Sequence, residues 1–327
     1  MSGKLAGNEV WDAVVVGGGP SGLAAATWLG RYRRRTLLCD TGRGRNRSVE
    51  HTHGYLSRDG ASPEEILQAA RAQLDRYADV ERRFLDVVGI RGQEGGFAVD
   101  GADGSCVEAL RIVLATGVVD VVPEVEGFEE HYGADVFHCP SCDGYEARDR
   151  QVVVLGWAED VAGFALELLD WAATVTVVTD GRRFEGDDVR RRALADHGIR
   201  VLEEEATAFL GRRGALEGIR LGGGEVLACS MAFFSIAHRP RSPLAAALGC
   251  EQSDEGCVLV DAQGETSVPG VFAAGDITPS YQLLQVATAK GTTAGVGCAA
   301  SLRREFPLPG RPRRAPDVPA ELGMAET

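Results

Sequence analysis

Short apolar runs bounded by glycine turns, alternating with apolar helical stretches, set the pattern of this chain. Ala13 to Val16 reads as a buried strand, followed by Gly17-Gly18-Gly19-Pro20-Ser21-Gly22 and an apolar helix from Leu23 to Gly30. A second strand, Thr36 to Cys39, ends at Asp40. The same order returns at Val152-Val153-Val154-Leu155-Gly156, with a helix near Val161 to Trp171 and a strand from Val175 to Val178. Strand, glycine turn, helix and returning strand make a dinucleotide-binding unit, and two of them predict an α/β fold with two Rossmann-like nucleotide-type domains. Ser267 to Asp276 and the alanine- and glycine-rich stretch after it predict a late strand and helix. Beyond Glu305, Pro307, Pro309, Pro312, Pro316 and Pro319 stand among charges and predict a loose tail.

Length and charge narrow the class. With 327 residues and 44% hydrophobic content the chain can bury ample core and is long enough for two domains. A net charge of −14, with no basic cluster flanked by aromatics, argues against nucleic acid or an anionic membrane as partner. No apolar segment reaches membrane-spanning length, and Met1 to Glu9 is short and polar, unlike a secretory signal. Six of the eight cysteines, Cys39, Cys106, Cys229, Cys250, Cys257 and Cys298, are scattered and read mostly as reduced core residues, so a cytoplasmic protein is expected.

In the first glycine turn, Gly17 permits the tight bend, Gly19 lets backbone approach a pyrophosphate, and Gly22 lets helix pack on strand. The helix N-terminus then faces the phosphates, and Asp40 at the end of the second strand can accept from ribose hydroxyls. The second turn breaks these requirements. Trp157 and Ala158 follow Gly156, Glu159 and Asp160 stand where a pyrophosphate needs neutral donors, and Asp180 ends the return strand, with Arg182 and Arg183 just beyond it.

The remaining two cysteines lie in His138-Cys139-Pro140-Ser141-Cys142-Asp143-Gly144-Tyr145-Glu146. A CxxC pair can close a reversible disulfide, form half of a zinc site, or be two buried thiols. No second CxxC completes a four-ligand zinc site. His51 and His53 alternate on an extended segment and point to one face. With no further ligand clustered near them, no metal is expected, and they read as pocket-lining or structural.

Gly17 to Gly22, Ala115-Thr116-Gly117, Cys139 to Asp143 and Gly275-Asp276 together resemble, in order and spacing, the low-molecular-weight thioredoxin reductase family. The resemblance covers nearly all of residues 11 to 303. It implies a thioredoxin reductase-like pair of three-layer ββα domains. An FAD-binding domain over 1–120 and 240–305 is interrupted by an NAD(P)-type domain over 121–239 that carries the cysteine pair, with 306–327 as the tail. It implies FAD held at its adenosine diphosphate by the turn Gly17, Gly19, Pro20, Ser21, Gly22 and by Asp40. Thr116 and Gly117 also belong to the implied site, Asp276 after Gly275 would take the ribitol, and the Gln285 backbone would lie by the flavin ring. The NADPH-using members resemble one another in a GxGxxA turn and an HRRxxxR run, which this chain lacks, so its NADPH site is expected to be degenerate. His51 to Gly60 and Phe137-His138 resemble a branch of dithiol oxidases of gliotoxin-like and holomycin-like pathways. Asp143 is instead the residue of the reductases, where those oxidases often carry histidine.

By resemblance, Cys142 is the flavin-proximal sulfur and Cys139 the exchanging one, with Asp143 or His138 as acid–base group. The expected activity is FAD-dependent oxidation of a small-molecule dithiol through Cys139 and Cys142, with dioxygen as acceptor, in a homodimer. One alternative is an NAD(P)H-dependent reductase of thioredoxin or another small disulfide protein. Others are a ferredoxin-dependent disulfide reductase, electrostatically disfavoured at −14, and a non-catalytic flavin redox sensor.

Overall fold

The computed structural model describes residues 10–303, so the polar start Met1 to Glu9 and the proline-rich tail lie outside the described residues. The first apolar run becomes β1 (Val10–Val16), leading through the glycine turn into α1 (Pro20–Arg31) and β2 (Thr36–Asp40). The helix begins at Pro20 rather than Leu23, because proline at the first helical position loses no hydrogen bond and brings a helical φ. Next come α2 (Pro63–Leu74), opened by a capping box between Ser62 and Glu65, then β3 (Val80–Phe84), β4 (Val87–Gln93), β5 (Gly96–Gly101) and β6 (Cys106–Leu114). After them come β7 (Val118–Val121), α3 (Phe128–His131), β8 (Val136–Phe137), α4 (Pro140–Asp143) and β9 (Gln151–Leu155). The chain continues as α5 (Val161–Leu168), β10 (Thr174–Val178), α6 (Asp188–Asp196) and β11 (Arg200–Leu202). It then forms β12 (Ala206–Arg212), β13 (Ala215–Leu221), β14 (Val226–Ala228), β15 (Met231–Phe234) and β16 (Ala237–Pro240). Finally come α7 (Leu244–Ala247), β17 (Val271–Ala273) and α8 (Leu284–Ser301).

The larger sheet runs in the order β3-β2-β1-β6-β5-β4. β1, β2, β3 and β6 are parallel, β4 and β5 return antiparallel, and β17 joins β6 at Ile112 to Leu114. Strands from both ends of the chain therefore complete one sheet. Ala13, Val14 and Val15 are fully buried, Ala13 and Val15 facing α1 and α8 and Val14 the opposite core. α8 lies directly on α1: a Cβ at Gly291 would stand 2.0 Å from the Ser21 carbonyl oxygen, and one at Gly295 2.6 Å from that of Ala25. The late strand is shorter than Ser267 to Asp276, and a loop separates it from the helix.

The smaller parallel sheet, β11-β10-β9-β15-β8, is covered by α5 and α6 on one face and by the β12-β13-β14 meander on the other. α5 stops at Leu168, short of Trp171, because the chain must turn back for Thr174 to pair with Gln151; Ala172 closes that turn on the Leu168 carbonyl. The antiparallel ribbon of β7 and β16 carries the chain from one sheet to the other and back. Among the scattered cysteines Cys106 is exposed and the rest are buried thiols. No helix among the described residues is long and apolar enough to cross a membrane.

Candidate active site

The glycine turn closes on itself. Gly17 sits at φ +110°, where a Cβ would come within 2.2 Å of the Ala115 carbonyl oxygen, and a Cβ on Gly22 would come within 1.7 Å of that of Gly17. Gly19, the N-cap of α1, is the opposite case: a Cβ there meets no described atom within 4 Å, and no described side chain caps the helix. The first-turn amides are thus left for an anion at an approachable helix N-terminus. Asp40 closes the far side, its carboxylate accepting from the Gly42 amide at 3.0 Å and lying 3.6 Å from Arg71 of α2.

From this turn a cavity of about 530 Å³ runs past Asp40, Thr116, Gly117 and Asp276 to His138, Cys139, Cys142 and Asp143. Pro20, Ser21 and Gln285 also line it. Gly22 and Gly275 are not among its lining residues and serve by packing, Gly275 at φ +83° against the Ser21 side chain. The Gln285 side chain accepts from the Leu56 amide at 3.0 Å, fastening the loop that carries His51 and His53 to α8.

The cysteines are joined as a disulfide, with Cys139 as N-cap of the single-turn α4 and Pro140 at its first position. The Cys139 Sγ accepts from the Cys142 amide at 3.1 Å, a donor that favours a thiolate on that sulfur once the bond opens. Asp143, at the end of α4, is only 7% exposed. Burial, with the charge of Glu146 adding to it, pushes its carboxyl up to about 7. Such a group trades protons with a thiol near neutrality.

His138 is placed differently from the expected acid–base partner of a sulfur. Its Nδ1 faces the Tyr132 hydroxyl at 3.4 Å and its Nε2 faces Asp120 at 3.9 Å. Burial lowers its pKa against the pull of Asp120, which keeps it neutral near pH 7. Behind it lies a group that sequence reasoning missed. Arg45 donates Nε to Asp120 at 2.9 Å with its second arm on the same carboxylate, and Nη1 to Asp276 at 3.0 Å and to Gln282 at 2.7 Å. Burial alone would raise the Asp120 carboxyl, but the Arg45 hydrogen bonds, the nearby His138 and the guanidinium charge hold it below its usual value. Arg45 and Asp120 are 75 residues apart and Arg45 and Asp276 231 apart, so no local pattern announces the trio.

The second glycine turn takes another form. The Arg182 guanidinium stacks 3.8 Å over the Trp157 ring, Glu159 pairs with Arg190 at 3.2 Å, and Ser235 donates to Asp160 at 3.4 Å. Asp180 accepts from the Ala206 amide at 3.1 Å and is tied into the fold. An indole and two carboxylates thus stand at the start of α5, which like α1 has no side-chain cap among the described residues.

A family model described as pyridine nucleotide-disulphide oxidoreductase matches residues 11–291. The probable thioredoxin reductase of Arthroderma benhamiae is 36% identical over 185 residues, a match spanning 55% of this chain and 46% of that protein's length. The thioredoxin reductase sirT of Leptosphaeria maculans is 30% identical over 309 residues, covering 88% of this chain and 93% of its own. Among solved structures, HlmI superposes with a TM-score of 0.83 at 35% identity, covering 90% of this chain and 93% of that one.

Proposed function

Because the chain belongs to the pyridine nucleotide-disulphide oxidoreductase family, as a thioredoxin reductase-like enzyme, we propose that it oxidises a small-molecule dithiol through Cys139 and Cys142, with FAD as cofactor and dioxygen as final oxidant. The observation that carries this reading is the continuous cavity from the glycine turn to the disulfide. Family membership implies a flavin, and the turn fits one: Gly19 and the uncapped start of α1 would hold its pyrophosphate, Asp40 its adenosine ribose and Asp276 its ribitol. When bound, the flavin supplies a two-electron acceptor for the reduced cysteine pair. The strand content of the two sheets supports reading 1–120 and 240–305 as one unit interrupted by 121–239.

The chain's own residues perform the exchange. A substrate thiol gives its proton to Asp143, and its sulfur forms a bond to Cys139 Sγ while the Cys139–Cys142 bond breaks and Cys142 leaves as thiolate. Once Asp143 has passed that proton on, the second substrate thiol gives its proton to Asp143 in turn and its sulfur attacks the first substrate sulfur, while the bond to Cys139 breaks and Cys139 leaves as thiolate. The substrate departs as a disulfide, two electrons poorer, and the pair is left reduced. The amide that reaches Cys139 Sγ stabilises the second leaving group. His138, held between Tyr132 and Asp120, positions the start of α4.

The filled turn at Trp157 supports a reaction that needs no nicotinamide cofactor. Asp143, the residue of the reductases, favours a second reading, NAD(P)H-dependent reduction of a small disulfide protein. With dithiothreitol and air alone, one hydrogen peroxide per disulfide formed is expected, and none from Cys142→Ser. Turnover that requires NADPH, with no oxidation of a dithiol in its absence, would overturn it.

A further inference from the structure

Gly144 turns the chain sharply after α4. A Cβ there would stand 2.5 Å from the Pro140 carbonyl oxygen and 2.6 Å from the Trp171 ring, so the chain folds straight into the short 3-10 turn Tyr145–Ala147. That turn sets Glu146 beside Asp143, close enough for its charge to act on the Asp143 carboxyl. One Glu146 oxygen faces His53 Nε2 at 3.6 Å, across from the loop of the larger unit. The other, Oε2, is buried with no hydrogen-bond partner among the described residues. A buried carboxylate oxygen without a donor is costly, so its place beside a protonatable carboxyl calls for a reason.

Proton traffic supplies one. Asp143 lines the same cavity as the disulfide but is itself nearly closed off from solvent, and in the proposed exchange each turnover brings it protons from two substrate thiols. It must pass each on before accepting the next. His53 lines the same cavity, and His51, with its ring centroid 6.5 Å from that of His53 and its Nδ1 held on the Gly60 carbonyl at 3.2 Å, is exposed at the outer end. We propose that Glu146 and His53 form a proton relay that connects Asp143 to solvent through His51. The inference rests on the dithiol-exchange reading. The relay moves no electrons: a proton leaves Asp143 for Glu146, and the His53 imidazole takes it up and releases it toward His51. The other titratable and charged groups facing this path are Tyr132, on which the Asp143 charge acts, and Glu65 and Arg58 beside His51.

The test follows reduction of the Cys139–Cys142 disulfide by dithiothreitol in the flavin-loaded protein without oxygen, in wild type, His53→Ala and Glu146→Gln, from pH 5.5 to 8.5. Both variants should be slowed about tenfold at pH 7, a fraction of what a positioned acid–base group contributes. Imidazole in the buffer should restore His53→Ala and leave Glu146→Gln slow. Carboxyl titration by infrared difference spectroscopy should show the Asp143 midpoint lower in Glu146→Gln, because a neighbouring negative charge has gone. Wild-type rates in both variants, or a slow His53→Ala that imidazole does not restore, would overturn the relay. A wild-type disulfide that dithiothreitol fails to reduce would instead overturn the exchange reading beneath it.

Discussion

Asp143 is a carboxyl whose surroundings oppose its charge. Its pKa rises from 3.8 in the unfolded chain to about 7 in the folded one, so the folded state holds the proton more tightly. The stability this contributes is present at acidic pH and is lost as pH climbs from about 4 through 7. Asp143→Asn mimics the protonated form. It should melt with the wild type near pH 4 and be more stable at pH 8, by up to about 4 kcal/mol at roughly 1.4 kcal/mol per pKa unit. The same variant should slow disulfide reduction by about a hundredfold, since a positioned base is gone. Equal melting temperatures at pH 4 and pH 8 would show that Asp143 ionises normally and has no such role.

At the scale of elements, the β7–β16 ribbon is where the two sheets are tied together, and Arg45 does much of the tying. It reaches Asp120 on β7, Asp276 after β17, and Gln282, which in turn meets His238 of β16 at 2.9 Å. Arg45→Met removes the guanidinium that two little-exposed carboxylates share, which should destabilise the flavin-free protein by about 3 kcal/mol. Adding Asp120→Asn should recover part of that loss in a thermal melt. A single variant that melts like wild type would remove the trio from the account. This cluster also marks where sequence stops being readable. The elements legible in the chain, β1 to β2 and β9 to β10, are built from contiguous apolar runs and turns whose chemistry lies within a dozen residues. Asp40, the glycines and the CxxC pair were readable for that reason. Arg45, Asp120 and the His53–Glu146 pair depend on tertiary neighbours far apart in the chain, and nothing in their local sequence carries that information.

Taken as a whole, the molecule holds two units of the same design with opposite fates. One keeps an open glycine turn that leads into the cavity. In the other, Trp157 under Arg182 and the paired Glu159 stand in the corresponding place. The disulfide is carried by the smaller unit and lines the cavity that begins at the first glycine turn, which is what favours electron flow toward that side in the proposed reaction. The direct test is to mix the oxidised, flavin-loaded protein with a small dithiol, with NADPH and with NADH, each without oxygen, and follow flavin absorbance. Rapid loss of absorbance is expected with the dithiol and none with either nucleotide at millimolar concentration. Rapid loss with NADPH and no response to the dithiol would contradict it.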